Sequence, residues 1–313
     1  MASLGKQDAS LAAALAIMVV WGCNFAVTKY ILDQVGIGTF LFVRFTVMLV
    51  LGALLLLVVY RRHLAQALPR REDLRRFAAA GILGHTLHVG VVMWGIDLST
   101  AFSSSVVLTS APLFTLLILT AMGGERLHAR QVAGTLVAFA GIVFFLSDKF
   151  AGGLARAGFG DLALLAASAM FSLYTIISKP LVERYGPLML LAWTLVFGAP
   201  PLLVVCAPAF FATPLAGQPA ALWAALAWAV LVSSFVGWLV WVWVNAVRGI
   251  ARSAPLQYLM PPIAGVVAWL TLGETFTWLK IGAATVVMAG VAWAQFAGQA
   301  RTSVRAATQP DPG

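Results

Sequence analysis

The sequence predicts an all-α membrane protein, ten transmembrane helices built as two inverted five-helix repeats around a central cavity. Three observations carry that expectation. Of 313 residues, 61% are hydrophobic and only 10% charged, with a mean hydropathy of +0.94, whereas an ordinary soluble domain carries about 25% charge. The apolar residues fall into ten runs of roughly the 20 residues that a bilayer-spanning helix needs. Landmarks of the first half recur in the second at an offset of 149 or 150 residues. No long alternation of apolar and polar positions competes, which disfavours a transmembrane barrel.

In order, the spans are read at 8–32, 36–60, 74–97, 99–122, 129–147, 160–184, 186–209, 219–247, 249–272 and 277–297. The first follows Lys6 and runs through Asn24 to Lys29 and Tyr30 without a small-residue cleavage site, so it reads as a retained helix and not as a signal peptide. The second carries Arg44, the third His85 and His88, and the fourth opens on serines before Pro112. The fifth and tenth carry small residues, Gly134, Ala138 and Gly141 against Gly282, Val286 and Gly290, a spacing that permits close packing and is read mainly as contact within the protein. The sixth to ninth hold Tyr174, Trp193, then Ser233, Ser234 and Trp238, then Gln257, Tyr258 and Pro261-Pro262.

The net charge of +9 acquires its meaning from where it falls. Arg61, Arg62, Arg70, Arg71, Arg75 and Arg76 crowd the connection between spans two and three, which the positive-inside rule makes cytoplasmic. Counting from there puts both termini, Arg126, Arg130, Arg184, Arg248, Arg252, Arg301 and Arg305 on the same side, and only Lys149, Arg156 and Lys280 opposite. The basic excess is thus an insertion signal; nucleic-acid binding would need a basic face on a folded soluble domain. Cys23 and Cys206 are the only cysteines and sit in apolar runs as small hydrophobes, which excludes a disulfide scaffold and a metal cluster. No cofactor is expected.

At an offset of 150, Lys29 and Gly36 fall on Lys179 and Gly186; at 149, Trp94 falls on Trp243, Pro112 on Pro261, Gly124-Glu125 on Gly273-Glu274, and Gly141 on Gly290. Five spans is an odd number, so the second copy enters from the opposite side. Two such units enclose a midplane site that rocking opens to alternate sides, which points to transport, with a scaffold as the plainer alternative. The prolines within spans four and nine are expected to free the carbonyls of Leu108, Gln257 and Tyr258, either as static kinks or as hinges that line the solute path.

Trp21-Gly22-Cys23-Asn24-Phe25, Phe42-Val43-Arg44-Phe45, and the serine-rich entry from Ser103 followed by Pro112 and Gly124-Glu125, an element repeated over 254–274, resemble the drug/metabolite transporter superfamily in its bacterial EamA-type branch. The resemblance covers nearly the whole chain. It implies ten helices in two inverted repeats, residence in the bacterial inner membrane, and export of metabolites such as amino acids, with aromatic amino-acid exporters the most similar. The chain would then divide into a first repeat at 1–148, a periplasmic linker at 149–158, a second repeat at 159–298 and a disordered cytoplasmic tail at 299–313. The halves differ where Trp21-Gly22 meets Phe171-Ser172 and Arg44 meets Thr194, which puts strict two-fold equivalence of binding groups in doubt.

Intramembrane ionisable residues are functional hypotheses, since burying a charge costs about 2.5–3.5 kcal/mol even on an insertion scale. Arg44 lies about 12 Å below the outer boundary at 1.5 Å per residue, with no carboxylate at that depth. Either it bonds backbone carbonyls and snorkels, or it offers a fork to a solute carboxylate. Lys29 and Lys179 fall at helix C-terminal ends, where a cation complements the dipole. His85 and His88 share a face of span three; they form hydrogen bonds in the cavity wall or carry protons, and a metal would want further ligands. All eleven acidic residues fall in loops, tails or span ends, which points to uncoupled facilitated export or exchange.

The expected cavity lining is Trp21, Asn24, Arg44, His85, His88, Ser104, Ser105, Tyr174, Trp193, Ser233, Ser234, Trp238, Gln257 and Tyr258, with Pro112, Pro261 and Pro262 as hinges. Such a wall suits a planar apolar solute; a phosphorylated one would want several deep cations. Trp94, Trp223, Trp228 and Trp278 are read as an interfacial belt. A membrane enzyme lacks H-E-x-x-H, G-x-S-x-G and paired carboxylates, an ATP-driven pump lacks a phosphate-binding loop, and a channel lacks charged rings. A proton-linked drug exporter acting through His85 and His88 and a receptor or scaffold are the remaining alternatives. The expected partners are a small-molecule solute and the bilayer, not nucleic acid, with the chain a monomer or weak homodimer.

Overall fold

The computed structural model describes residues 2–122, 129–151, 156–249 and 253–308, all helices and short connections, with no strand among them. Gly124, Glu125, Arg126, Arg252 and Asp311 lie outside the described residues. Helix α1 (Ala2–Val59) is interrupted at Gly36, with φ 72 and ψ 169. There follow α2 (Leu74–Gly81), a π-helical turn (Ile82–His88), α3 (Val89–Leu98), α4 (Ala101–Leu108), α5 (Ala111–Ala121) and α6 (Ala129–Ala151). Helix α7 (Arg156–Ala212) is interrupted at Gly186, with φ 78 and ψ 170. It leads to α8 (Ala220–Ala227), a second π turn (Trp228–Val236), α9 (Gly237–Arg248), a 3₁₀ turn (Ala254–Leu259), α10 (Met260–Leu272) and α11 (Trp278–Thr308). The backbone of α11 is helical through 299–308, residues read from the sequence as tail.

Six helical stretches among the described residues are long and apolar enough to cross a membrane, and Leu256–Leu272 and Trp278–Ala294 are shorter apolar helices. Gly5–Val59 and Gly158–Ala212 have 55 residues each, about 80 Å at 1.5 Å per residue, far beyond a hydrocarbon core of about 30 Å. The chain must turn within each. Both turns use backbone angles that glycine alone adopts without strain.

Lipid is as apolar as leucine, so helices associate by close packing at small residues. In α6 and α11 a Cβ on Gly134 would lie 2.5 Å from the Ala294 backbone nitrogen, and one on Gly141 2.8 Å from that of Val287. These two helices therefore touch along the small-residue stripe, although Gly282 faces open space. Gly81 meets Gly198, and Gly160 meets the backbone of Gly95, at similarly close crossings. Trp94, Trp223 and Trp278 are exposed on the perimeter, whereas Trp228 is half-buried.

The prolines correct one expectation. Pro112 and Pro261-Pro262 lie in the first turns of α5 and α10 instead of inside unbroken helices, where a missing N–H costs nothing. Helix α4 stops at Leu108 and α5 starts at Ala111. Hydroxyls from α7 lie against the break: Ser172 donates to the Ala111 carbonyl at 2.6 Å, and Ser168, whose nearer acceptor is the Leu164 carbonyl at 3.0 Å, lies 3.3 Å from that of Val107.

Polar clamps lie near both glycine turns. On the face of Gly186, Arg184 pairs with Asp73 at 2.7 Å, and the Tyr185 hydroxyl donates to the same carboxylate at 2.6 Å. That hydroxyl foremost, and then Arg184, holds the Asp73 carboxyl below the usual carboxylate range. On the face of Gly36, Lys29 donates to the carbonyls of Asp97 (2.6 Å) and Ile96 (3.3 Å), the C-terminal end of α3. Ser99 donates to the buried Asp161. The Glu274 carboxylate accepts the backbone N–H groups of Ala101 (2.7 Å) and Phe102 (3.3 Å), which open α4.

Candidate functional site

The helices enclose a cavity of about 150 Å³, lined by Trp21, Asn24, Phe25, Thr28, Arg44, His88, Val89, Val92, Met93, Ile96, Leu108, Ala111, Ser168, Phe171, Ser233, Trp238, Gln257 and Met260. It therefore draws on α1, the first π turn and α3, the α4–α5 break, α7, the second π turn with the start of α9, and the 3₁₀ turn into α10. None of the lining comes from α6 or α11.

Arg44 is 7% exposed. Among the described residues no hydrogen bond or ion pair reaches its guanidinium, and Nε is buried without a partner. The guanidinium carbon lies 5.8 Å from the Phe45 ring. The backbone-carbonyl option left open by the sequence is thus not taken up here. Asn24 Nδ2 donates to Thr28 Oγ1 at 3.0 Å, which leaves Oδ1 buried with no donor.

The histidines part company. His88 Nδ1 lies 3.0 Å from the Ala167 carbonyl; a carbonyl can only accept, so Nδ1 carries a proton, and in the neutral ring Nε2 is then an acceptor in a residue that lines the cavity. His85 stands outside the lining. Thr194 Oγ1 donates its proton to the Leu190 carbonyl at 2.7 Å, so His85 Nε2 donates to that oxygen at 3.0 Å.

Aromatic rings cluster around Trp238. Trp238 packs on His85, Tyr174 and Phe171 with centroids at 4.9, 5.4 and 6.3 Å. Gly84 leaves the space that the Tyr174 ring occupies. Trp21 donates from its indole nitrogen to the Ser233 carbonyl at 2.9 Å, and Gly237 gives the indole room, since a Cβ there would lie 2.8 Å from that nitrogen. π turns loosen the regular ladder and recur at functional sites. Here the first contributes His88 to the wall and the second contributes Ser233.

Of the residues predicted from sequence, Trp21, Asn24, Arg44, His88, Ser233, Trp238 and Gln257 converge on the cavity. Ser104, Ser105 and Ser234 do not: each hydroxyl returns to its own helix, onto the carbonyls of Thr100, Phe102 and Ala229. Tyr174 is buried behind Trp238 with its hydroxyl unpartnered, and Tyr258 is half-buried, likewise unpartnered and off the lining. Trp193 donates to the Ala67 carbonyl at 2.8 Å, on the Gly186 face. The apolar stripe Val89, Val92, Met93 and Ile96 was missed, because α3 is apolar nearly all round and an i, i+3, i+4, i+7 spacing does not stand out on it. Glu274 was read as a span-end acid and in fact ties the two halves together.

A family model described as the EamA-like transporter family matches the chain twice, over residues 9–147 and 158–295. A probable terminal-alkyne amino-acid exporter of Streptantibioticus cattleyicolor is 29% identical over 91% of this chain and 93% of its own. A probable amino-acid metabolite efflux pump of Escherichia coli is 25% identical over 92% and 94%, and the uncharacterized transporter YoaV of Bacillus subtilis is 25% identical over 88% and 93%. Among solved structures, one crystal structure superposes with a TM-score of 0.62 at 17% identity, covering 93% of this chain and 98% of that one, which shows a shared fold.

Proposed function

The chain belongs to the EamA-like transporter family, and from that premise we propose that it is an inner-membrane carrier exporting small apolar metabolites, above all aromatic or hydrophobic amino acids, by alternating access. Its frame is ten crossings in two inverted five-helix units, 1–148 and 159–298, with both termini cytoplasmic. One observation carries the reading, the origin of the cavity wall. Trp21 and Phe171, His88 and Trp238, Leu108 and Gln257, and Ala111 and Met260 are pairs 149 or 150 positions apart, and every member lines the cavity.

Matching positions of two units facing one midplane cavity are what rocking of one unit on the other requires. The paired turns at Gly36 and Gly186 and the two π turns support the same repeat. Largely apolar walls favour an apolar solute held by dispersion, and two relatives are named for amino-acid export. No carboxylate lines the cavity among the described residues, which favours flux without a carboxylate proton relay.

Counterflow in proteoliposomes tests the reading. Vesicles preloaded with unlabelled phenylalanine and diluted into labelled phenylalanine, with no ion gradient, are expected to accumulate label transiently, with competition by tryptophan and leucine. Label that never rises above equilibrium for any amino acid refutes an amino-acid carrier.

A further inference from the structure

Resting on the carrier reading, we propose that the cavity recognises a free α-amino-acid head group: Arg44 takes the carboxylate, while Asn24 Oδ1 and His88 Nε2 take the ammonium group. The first support is the buried guanidinium. Arg44 presents donors in a planar fork, is 7% exposed, and meets no counter-charge or carbonyl among the described residues. A buried ion left in that condition is costly, and a bidentate carboxylate relieves the cost with matched geometry. A phosphate dianion would leave charge uncompensated, because Arg44 is the only charged residue in the lining among the described residues.

The second support is the pair of unsatisfied acceptors in the same wall. Thr28 consumes the Asn24 amide nitrogen and Ala167 consumes His88 Nδ1. What remains unpaired is a carbonyl-type oxygen, buried in the Asn24 side chain of the wall, and an imidazole lone pair, both acceptors. An ammonium group brings three donors. A solute with an ammonium group and no carboxylate would place a second positive charge beside Arg44. A solute with a carboxylate and no ammonium would leave the acceptors unpaired. The zwitterion satisfies both sets at zero net charge, and its side chain is left to the apolar stripe Val89, Val92, Met93 and Ile96. That stripe selects for apolarity and not for a ring.

The test uses the purified full chain with four probes: phenylalanine, phenethylamine, phenylalaninamide and 3-phenylpropionate. Thermal stabilisation in detergent reads binding without transport, and competition in counterflow reads transport. Phenylalanine is expected to bind best, with each analogue weaker by about ten- to a hundredfold, the range for losing a charged hydrogen-bonding partner. Asn24→Ala is expected to weaken phenylalanine but leave 3-phenylpropionate unchanged. Arg44→Gln should weaken phenylalanine and 3-phenylpropionate alike and spare phenethylamine. Analogues that match phenylalanine on the unaltered protein overturn the head-group assignment, and so does an Asn24→Ala loss equal for both acids. Binding in the expected order without counterflow leaves the assignment standing and refutes the carrier; counterflow with all analogues equal does the reverse.

Discussion

Substituting Glu274 separates a tie between the two halves from an ordinary helix cap. The carboxylate accepts two backbone N–H groups, at 2.7 and 3.3 Å, at the start of α4. It reaches them because Gly273 ends α10 in the left-handed conformation, with the Glu274 amide returning to the Ala268 carbonyl. Hydrogen bonds to a charged group contribute about 1.5–3 kcal/mol, and a negative charge at a helix N-terminus about 0.3–1 kcal/mol when exposed. Glu274 is only half-buried, so the lower ends apply. Glu274→Gln, which keeps one acceptor and loses the charge, is expected to weaken the tie by about 1–1.5 kcal/mol, and Glu274→Ala by about 2 kcal/mol. If the tie exists only while the Gly36 face is closed, the closed population falls by about five- to thirtyfold relative to the open one. The assay is the labelling rate of Ser168→Cys, in a background lacking Cys23 and Cys206, by a water-soluble thiol reagent applied from the Gly36 face. The rate should rise by that factor. Thr100→Ala removes the cap of the same helix, which accepts from Ser103 N, without touching the other half; it should cost about 1 kcal/mol of stability with little change in labelling. Labelling that rises no more for Glu274→Ala than for Thr100→Ala refutes the tie.

Three further outcomes follow from the packing. Gly198→Ala would drive a methyl into the Gly81 carbonyl and should cost about 1–3 kcal/mol or prevent folding, whereas Gly282→Ala meets nothing within 4 Å and should be neutral or stabilising; equal melting temperatures would contradict the crossing. Asp73 has a lowered carboxyl pKa in the folded protein, so its stabilising share is full above the unfolded value of about 3.9 and is lost as pH falls through the folded one. The melting-temperature gap between the protein and Asp73→Asn should be widest near neutral pH and close in acid, and a gap that widens in acid reverses the sign of the argument. Trp21→Phe removes the donor to the Ser233 carbonyl and should lower stability by about 1–2 kcal/mol, read by thermal unfolding.

How far the sequence reveals this molecule depends on how many readings a residue admits. Gly36 and Gly186 were legible because a run of 55 residues cannot cross a bilayer once, and a glycine at the polar interruption is the cheapest turn. Trp21, Arg44, Trp238 and Gln257 were legible because each is costly to bury without a purpose. The serines were not, because a hydroxyl in a span can turn back onto its own helix at no cost, as Ser104, Ser105 and Ser234 do. His85 and His88 looked equivalent at a helical spacing of three. They lie in a π turn, where partners across the chain, Thr194 for one and Ala167 for the other, decide their roles. The stripe from Val89 to Ile96 hid in plain view, since on a helix that is apolar all round the periodicity carries no contrast.

The matched pairs of the wall and the mismatch at Arg44 also bear on how a symmetric frame could hold an asymmetric solute. Four pairs of matching positions line the cavity, yet Arg44 faces it while its counterpart Thr194 is occupied with His85 outside the lining. Two arginines would double a burial cost of about 2.5–3.5 kcal/mol each and would favour a dianion. One arginine, with its counterpart replaced by a hydroxyl tied to His85, leaves a single positive pole in a lining otherwise uncharged among the described residues. A zwitterion entering that chamber is then oriented by charge at one end and by unpaired acceptors near it, and the repeat can supply matched moving parts without also imposing a two-fold binding site. On this argument Thr194→Arg should impair zwitterion binding more than Thr194→Val, even though it restores the two-fold pattern, because it adds a charge that an amino acid has no second carboxylate to meet; thermal stabilisation by phenylalanine that is stronger in Thr194→Arg than in Thr194→Val would show the reasoning to be wrong.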